Sequence, residues 1–210
     1  MIIGVCGLIG AGKDTIADYL VNIHEFRRES FAGTLKDAVA AVFGWDRMML
    51  EGRTRTSRAW REQPDVWWSE RLGREITPRW VLQHWGTEVC RRGFHDDVWI
   101  ASLENKLRNT MDNVVISDCR FPNEITAIKS AGGAVIRVMR GEDPDWFVAA
   151  KQHFAHACDL PADMPHASEW AWAGTEFDAV IDNNGSMDDL YKHVNDLVQD
   201  HLAARPDRCG

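Results

Sequence analysis

Short apolar runs bounded by turn residues recur along this chain, with stretches of helical periodicity between them. Runs of roughly four to eight apolar or β-branched residues read as buried strands. They predict strands at Ile2–Cys6, Arg28–Phe31, Val114–Ser117, Ala134–Met139 and Ala179–Ile181. Ile16, Leu20 and Ile23 fall on one helical face. So do Leu35, Val39, Val42 and Phe43, and further on Ile100, Leu103 and Leu107. Leu190, Val194, Leu197 and Val198 repeat at the same spacing after the turn Asn183-Asn184-Gly185, and Ser186 with Asp189 predicts a capping box at that helix's start. Strands alternating with helices imply an α/β class, with a parallel sheet covered on both faces.

Two segments break the rhythm. Residues 44–95 are rich in Arg and Trp, and residues 141–175 carry His, Asp, Ala, Pro and Gly; neither contains an evident strand. The 210 residues suit a single α/β domain with these two stretches as insertions. The tail Ala203–Gly210 reads as frayed, and no internal repeat or low-complexity tract is present.

Gly7-Leu8-Ile9-Gly10-Ala11-Gly12-Lys13-Asp14-Thr15 lies between the first predicted strand and the first predicted helix. A strand, a glycine-rich turn and a helix in that order form a phosphate-binding loop. Its glycines let backbone N–H groups curl around a polyphosphate, and the lysine reaches the terminal phosphates. Gly10, Ala11, Gly12, Lys13, Asp14 and Thr15 are therefore the expected nucleotide-binding residues. Asp14 stands where the pattern expects a magnesium-ligating Ser or Thr. An acid there is tolerable if it faces away or holds the metal's water shell, which favours a small-molecule kinase over a GTPase switch.

The net charge of −8 counts against a nonspecific nucleic-acid binder but leaves room for arginines gathered in one cleft. Five scattered cysteines (Cys6, Cys90, Cys119, Cys158, Cys209) with no CxxC read as reduced cytosolic thiols. The short N-terminal apolar run has no basic flank, so no signal peptide is expected. Nor does any stretch reach the roughly 18 apolar residues that span a membrane. Most of the ten tryptophans fall in Trp45–Trp99; core and seam filling accounts for the majority better than base stacking does.

Val114-Val115-Ile116-Ser117-Asp118 is an apolar strand ending in an acid, where a P-loop protein places a residue that orients magnesium waters. Arg120 follows in the loop at the strand's carboxyl end, the side on which open sheets bind ligands. Asn123 is a candidate cap for the next helix, and Glu124 is either a capping acid or a partner that aims Arg120 at a phosphate. If Pro78 opens an α-helix, Val81, Leu82, Trp85 and Val89 share one face, and Gln83, Thr87 and Arg91 another, with Glu88 alongside. Gly86 inside that helix suggests close approach by a ligand or another backbone.

Further blocks follow the phosphate loop in order: Phe31-Ala32-Gly33-Thr34-Leu35-Lys36, Arg79 to Leu82-Gln83, Gly86-Thr87-Glu88, Asp97-Val98-Trp99-Ile100 and Asp118-Cys119-Arg120-Phe121-Pro122-Asn123-Glu124. With His166-Ala167-Ser168-Glu169 they resemble the bacteriophage deoxynucleoside monophosphate kinase family over most of the chain. The resemblance implies a P-loop kinase three-layer sandwich with an acceptor-binding insertion at about 44–95 and a lid at about 141–175. It implies ATP-dependent phosphorylation of a deoxynucleoside monophosphate, dGMP or dTMP foremost, with Mg2+. Carried over by position, Lys36, Arg79, Gly86, Thr87, Glu88 and Trp99 would form the monophosphate site, with Phe31, Gln83 and Arg91 beside them. Asp118, Arg120 and Glu124 would form its far wall. Lys13, Asp118, Arg120 and Arg140 would be catalytic, stabilising charge on the transferring group or orienting what does. Arg53, Arg55 and Arg58 lie in the acceptor insertion, and Gly33-Thr34 replaces bulkier residues common in the family, which leaves the preferred base open. The expected partners are ATP and the monophosphate, with no nucleic acid and no membrane. A homodimer is the oligomer considered, and the location is the cytoplasm, the host's if the gene is a phage's.

Other readings remain. His153, His156, Cys158 and His166 lie close in the lid, but their spacing is not that of a standard zinc finger. Another P-loop kinase, acting on a dephospho-coenzyme A or shikimate-like acceptor, shares the loop. A GTPase switch is disfavoured, because Asn105-Lys106-Leu107-Arg108 lacks the acid of a guanine reader.

Overall fold

Ile3 and Val5 point to one face of the first strand, and Gly4 and Cys6 to the other; that alternation separates the layers. The computed structural model describes residues 1–108 and 111–203, and side chains as far as residue 200. Cys209 and nearly all of the tail read as frayed lie outside the described residues. In chain order the elements are β1 (Ile2–Cys6), α1 (Lys13–His24), β2 (Arg27–Glu29), α2 (Gly33–Phe43), α3 (Arg47–Glu51), α4 (Arg55–Arg61), α5 (Val66–Leu72) and α6 (Pro78–Gln83). A π-helix (His84–Arg92) continues α6. Then come α7 (Val98–Leu107), β3 (Val114–Ile116), α8 (Pro122–Ser130), β4 (Ala134–Met139), α9 (Asp145–His156), a 3₁₀ turn (Ala167–Glu169), β5 (Ala179–Asp182) and α10 (Met187–Ala203).

The chain divides into two compact units, Met1–Glu29 with Met111–Gly210, and Ser30–Thr110. The first holds the whole sheet, five parallel strands in the order β2-β3-β1-β4-β5. Ile16, Ala17 and Leu20 of α1 and Leu190, Val194 and Val198 of α10 bury against Ile3, Val5, Val115, Ile136, Val138 and Ile181 on one face. On the other face α8 comes so close that a β-carbon at Gly4 would lie 2.7 Å from Ile128 Cδ1 and 3.1 Å from Cys119 Sγ. The α/β expectation therefore holds, with helices on both faces of a parallel sheet. Because α1 leaves β1 on one face and α8 leaves β3 on the other, the carboxyl ends of these neighbouring strands open a crevice, the usual ligand position in such sheets.

β1 and β4 have the predicted bounds. Expected strand ends at Phe31 and Ser117 draw back to Glu29 and Ile116, because the β2–β3 ladder ends at the pair Glu29↔Ile116. Two apolar positions were misplaced: Ile23 is 60% and Val42 53% exposed, each in the last turn of its helix and beyond the buried stripe. The capping box is present. Ser186 Oγ accepts from Asp189 N–H (3.2 Å), and Asp189 Oδ2 accepts from Ser186 N–H (3.0 Å). Arg137 lies buried on the α8 face of β4, paired with Asp143 and set over the rings of Phe147 (4.9 Å) and Trp172 (5.5 Å). It thereby ties α9 and the turn after the 3₁₀ segment to the sheet.

Among its described residues the second unit contains helices and no strand. Leu35, Val39, Trp45, Leu50, Ile76 and Val81 form its core, with Trp60, Trp68, Trp80, Trp85 and Trp99 packed around it. That supports the packing interpretation for most of the tryptophans; Trp67, 61% exposed, is an exception. Among the described residues no helix is long and apolar enough to cross a membrane, and Cys6, Cys90, Cys119 and Cys158 are free thiols.

Candidate active site

The loop after β1 turns on glycines because its backbone needs them. Gly10 and Gly12 have φ of 82° and 109°, where other residues are strained, and Gly12 is the N-cap of α1. Lys13, the first residue of α1, folds back to donate to the carbonyls of Gly7 (2.7 Å) and Leu8 (2.9 Å). Burial, followed by the nearby Arg120 guanidinium, lowers its ammonium pKa from 10.5 to about 8; Asp14 and Glu169 push the other way. Lys13 and Arg120 thus share one electrostatic neighbourhood.

Asp14 pairs with an arginine of the neighbouring strand. Its carboxylate lies 3.5 Å from Arg28 of β2, which also pairs with Asp18 (3.3 Å) and donates to the Asp14 carbonyl (3.0 Å). Thr15, half-buried, follows it. From the far edge of the sheet Asn183 Nδ2 donates to the Ala11 carbonyl (2.8 Å), clamping the loop. Neither Arg28 nor Asn183 was singled out from the sequence as a site residue. Asn183 had been read only as part of a turn after the last strand, and that turn's position at a strand's carboxyl end was the available signal.

Asp118 and Arg120 follow β3. Arg120 Nη1 donates to Glu169 Oε1 (2.7 Å) and lies 3.4 Å from the Ser168 carbonyl. Glu124, 4% exposed, accepts from the backbone N–H groups of Arg120 (2.8 Å) and Phe121 (3.1 Å). Its capping role is therefore present, and what it steadies is the Arg120 backbone. Asn123 is not the cap: proline is favoured at a helix's first position, so α8 starts at Pro122, and Asn123 Oδ1 instead accepts from Glu124 N–H (3.1 Å). Arg140 is exposed just after β4.

Of the residues weighed as zinc ligands in segment 141–175, His153 and His166 have other partners. His153 Nδ1 donates to the Cys158 carbonyl (2.6 Å), and His166 Nδ1 accepts from Ser168 N–H (3.3 Å) to cap the 3₁₀ turn. Among the described residues no three His, Cys, Asp or Glu side chains are grouped to hold a metal ion.

In the second unit Lys36 pairs with Glu51 (2.7 Å) and Arg79 with Glu62 (3.6 Å), while Phe31 is buried. Thr77 caps α6, accepting from Trp80 N–H (3.1 Å), and Pro78 opens it as expected. The continuous α-helix expected beyond it is corrected: from His84 the chain winds as a π-helix, whose i→i+5 bonds change the angle between successive side chains. Gln83 and Thr87 remain half-buried, Glu88 pairs with Arg92 (2.6 Å), and Arg91 turns inward to Asp96 (2.8 Å). Trp99 Nε1 donates to the Gly86 carbonyl (2.9 Å). What comes close to Gly86 is a side chain: a β-carbon there would lie 2.8 Å from Leu35 Cδ2. Gly86→Ala should lose about 1 kcal/mol net, because overpacking against buried Leu35 outweighs the gain in helix propensity. Thermal denaturation checks this, and a rise in Tm would show that Leu35 gives way.

Comparison with known proteins adds two viral relatives. The chain is 29% identical over 213 aligned residues to the "Putative deoxynucleotide monophosphate kinase" of Acanthamoeba polyphaga mimivirus, covering 94% of this chain and 96% of that protein. It is 25% identical to the "Deoxynucleoside-5'-monophosphate kinase" of Escherichia phage T5, covering 78% and 84%. Both are homologues of this chain. The resemblance read from its motifs therefore extends to whole proteins of that name. No family model matches. Among solved structures, shikimate kinase from Aquifex aeolicus aligns over 97% of this chain and 99% of its own, with a TM-score of 0.46 at 12% identity. Dephospho-CoA kinase from Campylobacter jejuni aligns over 95% and 96%, with a TM-score of 0.38 at 16% identity.

Proposed function

We propose that this chain transfers the terminal phosphoryl group of ATP to a deoxynucleoside monophosphate, dGMP or dTMP foremost, yielding the diphosphate. The observation that carries this reading is the placing of Lys13 and Arg120 within electrostatic reach of each other at the carboxyl ends of β1 and β3, in a chain homologous to kinases so named. Two cations beside a glycine loop of left-handed backbone fit a polyphosphate well, and in this structure the Glu169 carboxylate pairs with the Arg120 guanidinium that a phosphate would engage.

Phosphoryl transfer asks the protein chiefly for position and charge neutralisation. The acceptor phosphate oxygen is already ionised near neutral pH, so no strong general base is needed. Loop residues 10–15 hold the ATP phosphates; Lys13, Arg120 and Arg140 stabilise charge on the transferring group. Asp118 would orient the water shell of magnesium or a neighbouring arginine, and that ion, when bound, would neutralise phosphate charge. Phe31, Lys36, Arg79, Gln83, Gly86, Thr87, Glu88, Arg91 and Trp99 serve the acceptor, as do Asp118, Arg120 and Glu124. π-helical turns recur at functional sites, which suits the acceptor role given to 83–91. Segment 44–95 is the acceptor insertion and 141–175 the lid of one catalytic domain. The viral sources of the homologues support a host-cytoplasmic setting.

A coupled ADP-release assay with ATP and magnesium tests this, offering dGMP, dTMP, dCMP, dAMP and GMP separately. Turnover dependent on one or two deoxynucleotides is the expected result. Silence with all five, from protein that still binds ATP, would refute it and point to another acceptor.

A further inference from the structure

Arg58 and Arg61 of α4 and Arg79 of α6 lie close enough to act on one another. Burial lowers the Arg61 guanidinium below its usual range; Arg79 and, more weakly, Arg58 push it the same way, against Glu62 and Glu51. Their partners sort the three apart. Arg58 Nε donates to the Gly52 carbonyl (2.9 Å), so its guanidinium braces the turn after α3. Arg79 faces Glu62 at 3.6 Å. Glu51 is engaged by Lys36 (2.7 Å) and Arg47 (2.5 Å). Arg61 differs, because its Nε is buried and has no hydrogen-bond partner. A buried donor of a charged group left unpaired is costly, and native proteins seldom leave one without a reason. The backbone makes room for this side chain: Gly52, with φ of 66°, ends α3, and a β-carbon there would run into the Arg61 guanidinium.

The Glu62 and Glu51 carboxylates near this cluster are engaged by Arg79, Lys36 and Arg47, so the orphaned Arg61 N–H calls for a further anion with several acceptor oxygens. We propose that Arg61, supported by Arg79, binds the phosphate monoester dianion of the acceptor, and that Arg61 is the residue distinguishing a deoxynucleoside monophosphate from a deoxynucleoside. The inference rests on the acceptor reading above and sharpens it, since it adds a residue that neither the motifs nor the resemblance marked. A phosphate monoester offers three strong acceptor oxygens and nearly two negative charges, and a guanidinium fork can engage two of those oxygens at once. Binding would satisfy Arg61 Nε and relieve the repulsion between the guanidinium groups together.

Fluorescence titration is the direct test, with Trp60 adjoining Arg61 as a reporter. Methyl phosphate, dGMP and deoxyguanosine would be titrated into the wild type, Arg61→Gln, Arg61→Lys and Arg71→Gln, the last removing an equal charge from α5. Arg61→Gln should weaken methyl phosphate and dGMP by about tenfold or more, with deoxyguanosine binding unchanged. Arg61→Lys should recover only part of the loss, because an ammonium is a point charge without the fork. In turnover, KM for the monophosphate should rise, with KM for ATP unaltered. Circular dichroism verifies folding, and Arg61→Lys carries the test alone should Arg61→Gln not fold. Equal phosphate binding by wild type and Arg61 variants, equal loss in Arg71→Gln, or a wild type blind to methyl phosphate would each overturn the proposal. Should no deoxynucleotide be turned over, the function reading fails separately, and methyl phosphate binding still decides the role of Arg61.

Discussion

Lys13→Met should lower kcat by about 10²–10³-fold in a protein that remains folded, the scale for removing one preorganised cation or donor from developing charge. The side chain is not part of the apolar core, and its ammonium donates to the loop carbonyls of Gly7 and Leu8. Methionine retains the stem and removes the charge, so the loss should appear in turnover and ATP affinity while Tm holds or rises. The direction of the Tm change follows from the ammonium's environment. Burial, with Arg120, lowers the Lys13 pKa from 10.5 to about 8, so the fold disfavours its charge. Between these values the unfolded chain binds more protons, and this group's contribution to stability improves as pH rises across that window.

ATP binding runs the other way. A polyphosphate favours charged Lys13, so binding takes up a proton once pH exceeds about 8, and ATP affinity falls as pH climbs beyond that point. Isothermal titration in buffers of different ionisation enthalpy measures the uptake, and Lys13→Met should abolish it. A folded Lys13→Met enzyme of unchanged turnover would remove the lysine from the mechanism.

The parts of the fold legible in the sequence were those whose physics is local. β1 and β4 have the bounds their apolar runs suggest because both faces are covered, so every position in each run is constrained. At the edge strand β2 one neighbour sets the length, and the ladder stops where β3 stops, a fact held elsewhere in the chain. The Ser186–Asp189 capping box spans one turn and could be read directly. The π-helix could not, since over the nine residues of His84–Arg92 the apolar spacing serves either helix type.

The site divides along the same line. The glycines and Lys13 announce themselves because loop and helix are contiguous. The pairings that set the site's charge join distant segments. Arg28 pairs with Asp14, Glu169 occupies Arg120 across 49 residues, and Asn183 reaches Ala11 across 172. Glu124 was legible as a capping acid, but that it steadies the Arg120 backbone required the loop's path. Arg61 was overlooked among neighbouring arginines for the same reason: composition shows how many guanidinium groups there are, and only packing shows that the Arg61 Nε is buried without a partner.

Gly12→Ala should damage the loop in two separable ways. At φ of 109° an alanine is strained by about 1–2 kcal/mol. Its β-carbon would also collide with Asn183 Nδ2, the group that donates to the Ala11 carbonyl (2.8 Å), and overpacking of this kind costs about 1–3 kcal/mol. The clash is relieved by turning the Asn183 amide away, which breaks its bond to the Ala11 carbonyl, or by shifting the loop away from β5, and either spoils the curl of backbone N–H groups. The expected result is therefore a fall in ATP affinity of about one to three orders of magnitude with only a modest drop in Tm, because the sheet core under the loop is untouched. Asn183→Ala separates the penalties. Placed on Gly12→Ala, it should restore the steric share of the affinity while the backbone share stays lost; on its own, it should loosen the loop through the missing bond to Ala11. ATP titration and calorimetry on the three variants decide the matter. A Gly12→Ala protein with wild-type affinity and wild-type Tm would mean that neither the left-handed turn nor the Asn183 clamp shapes the nucleotide site.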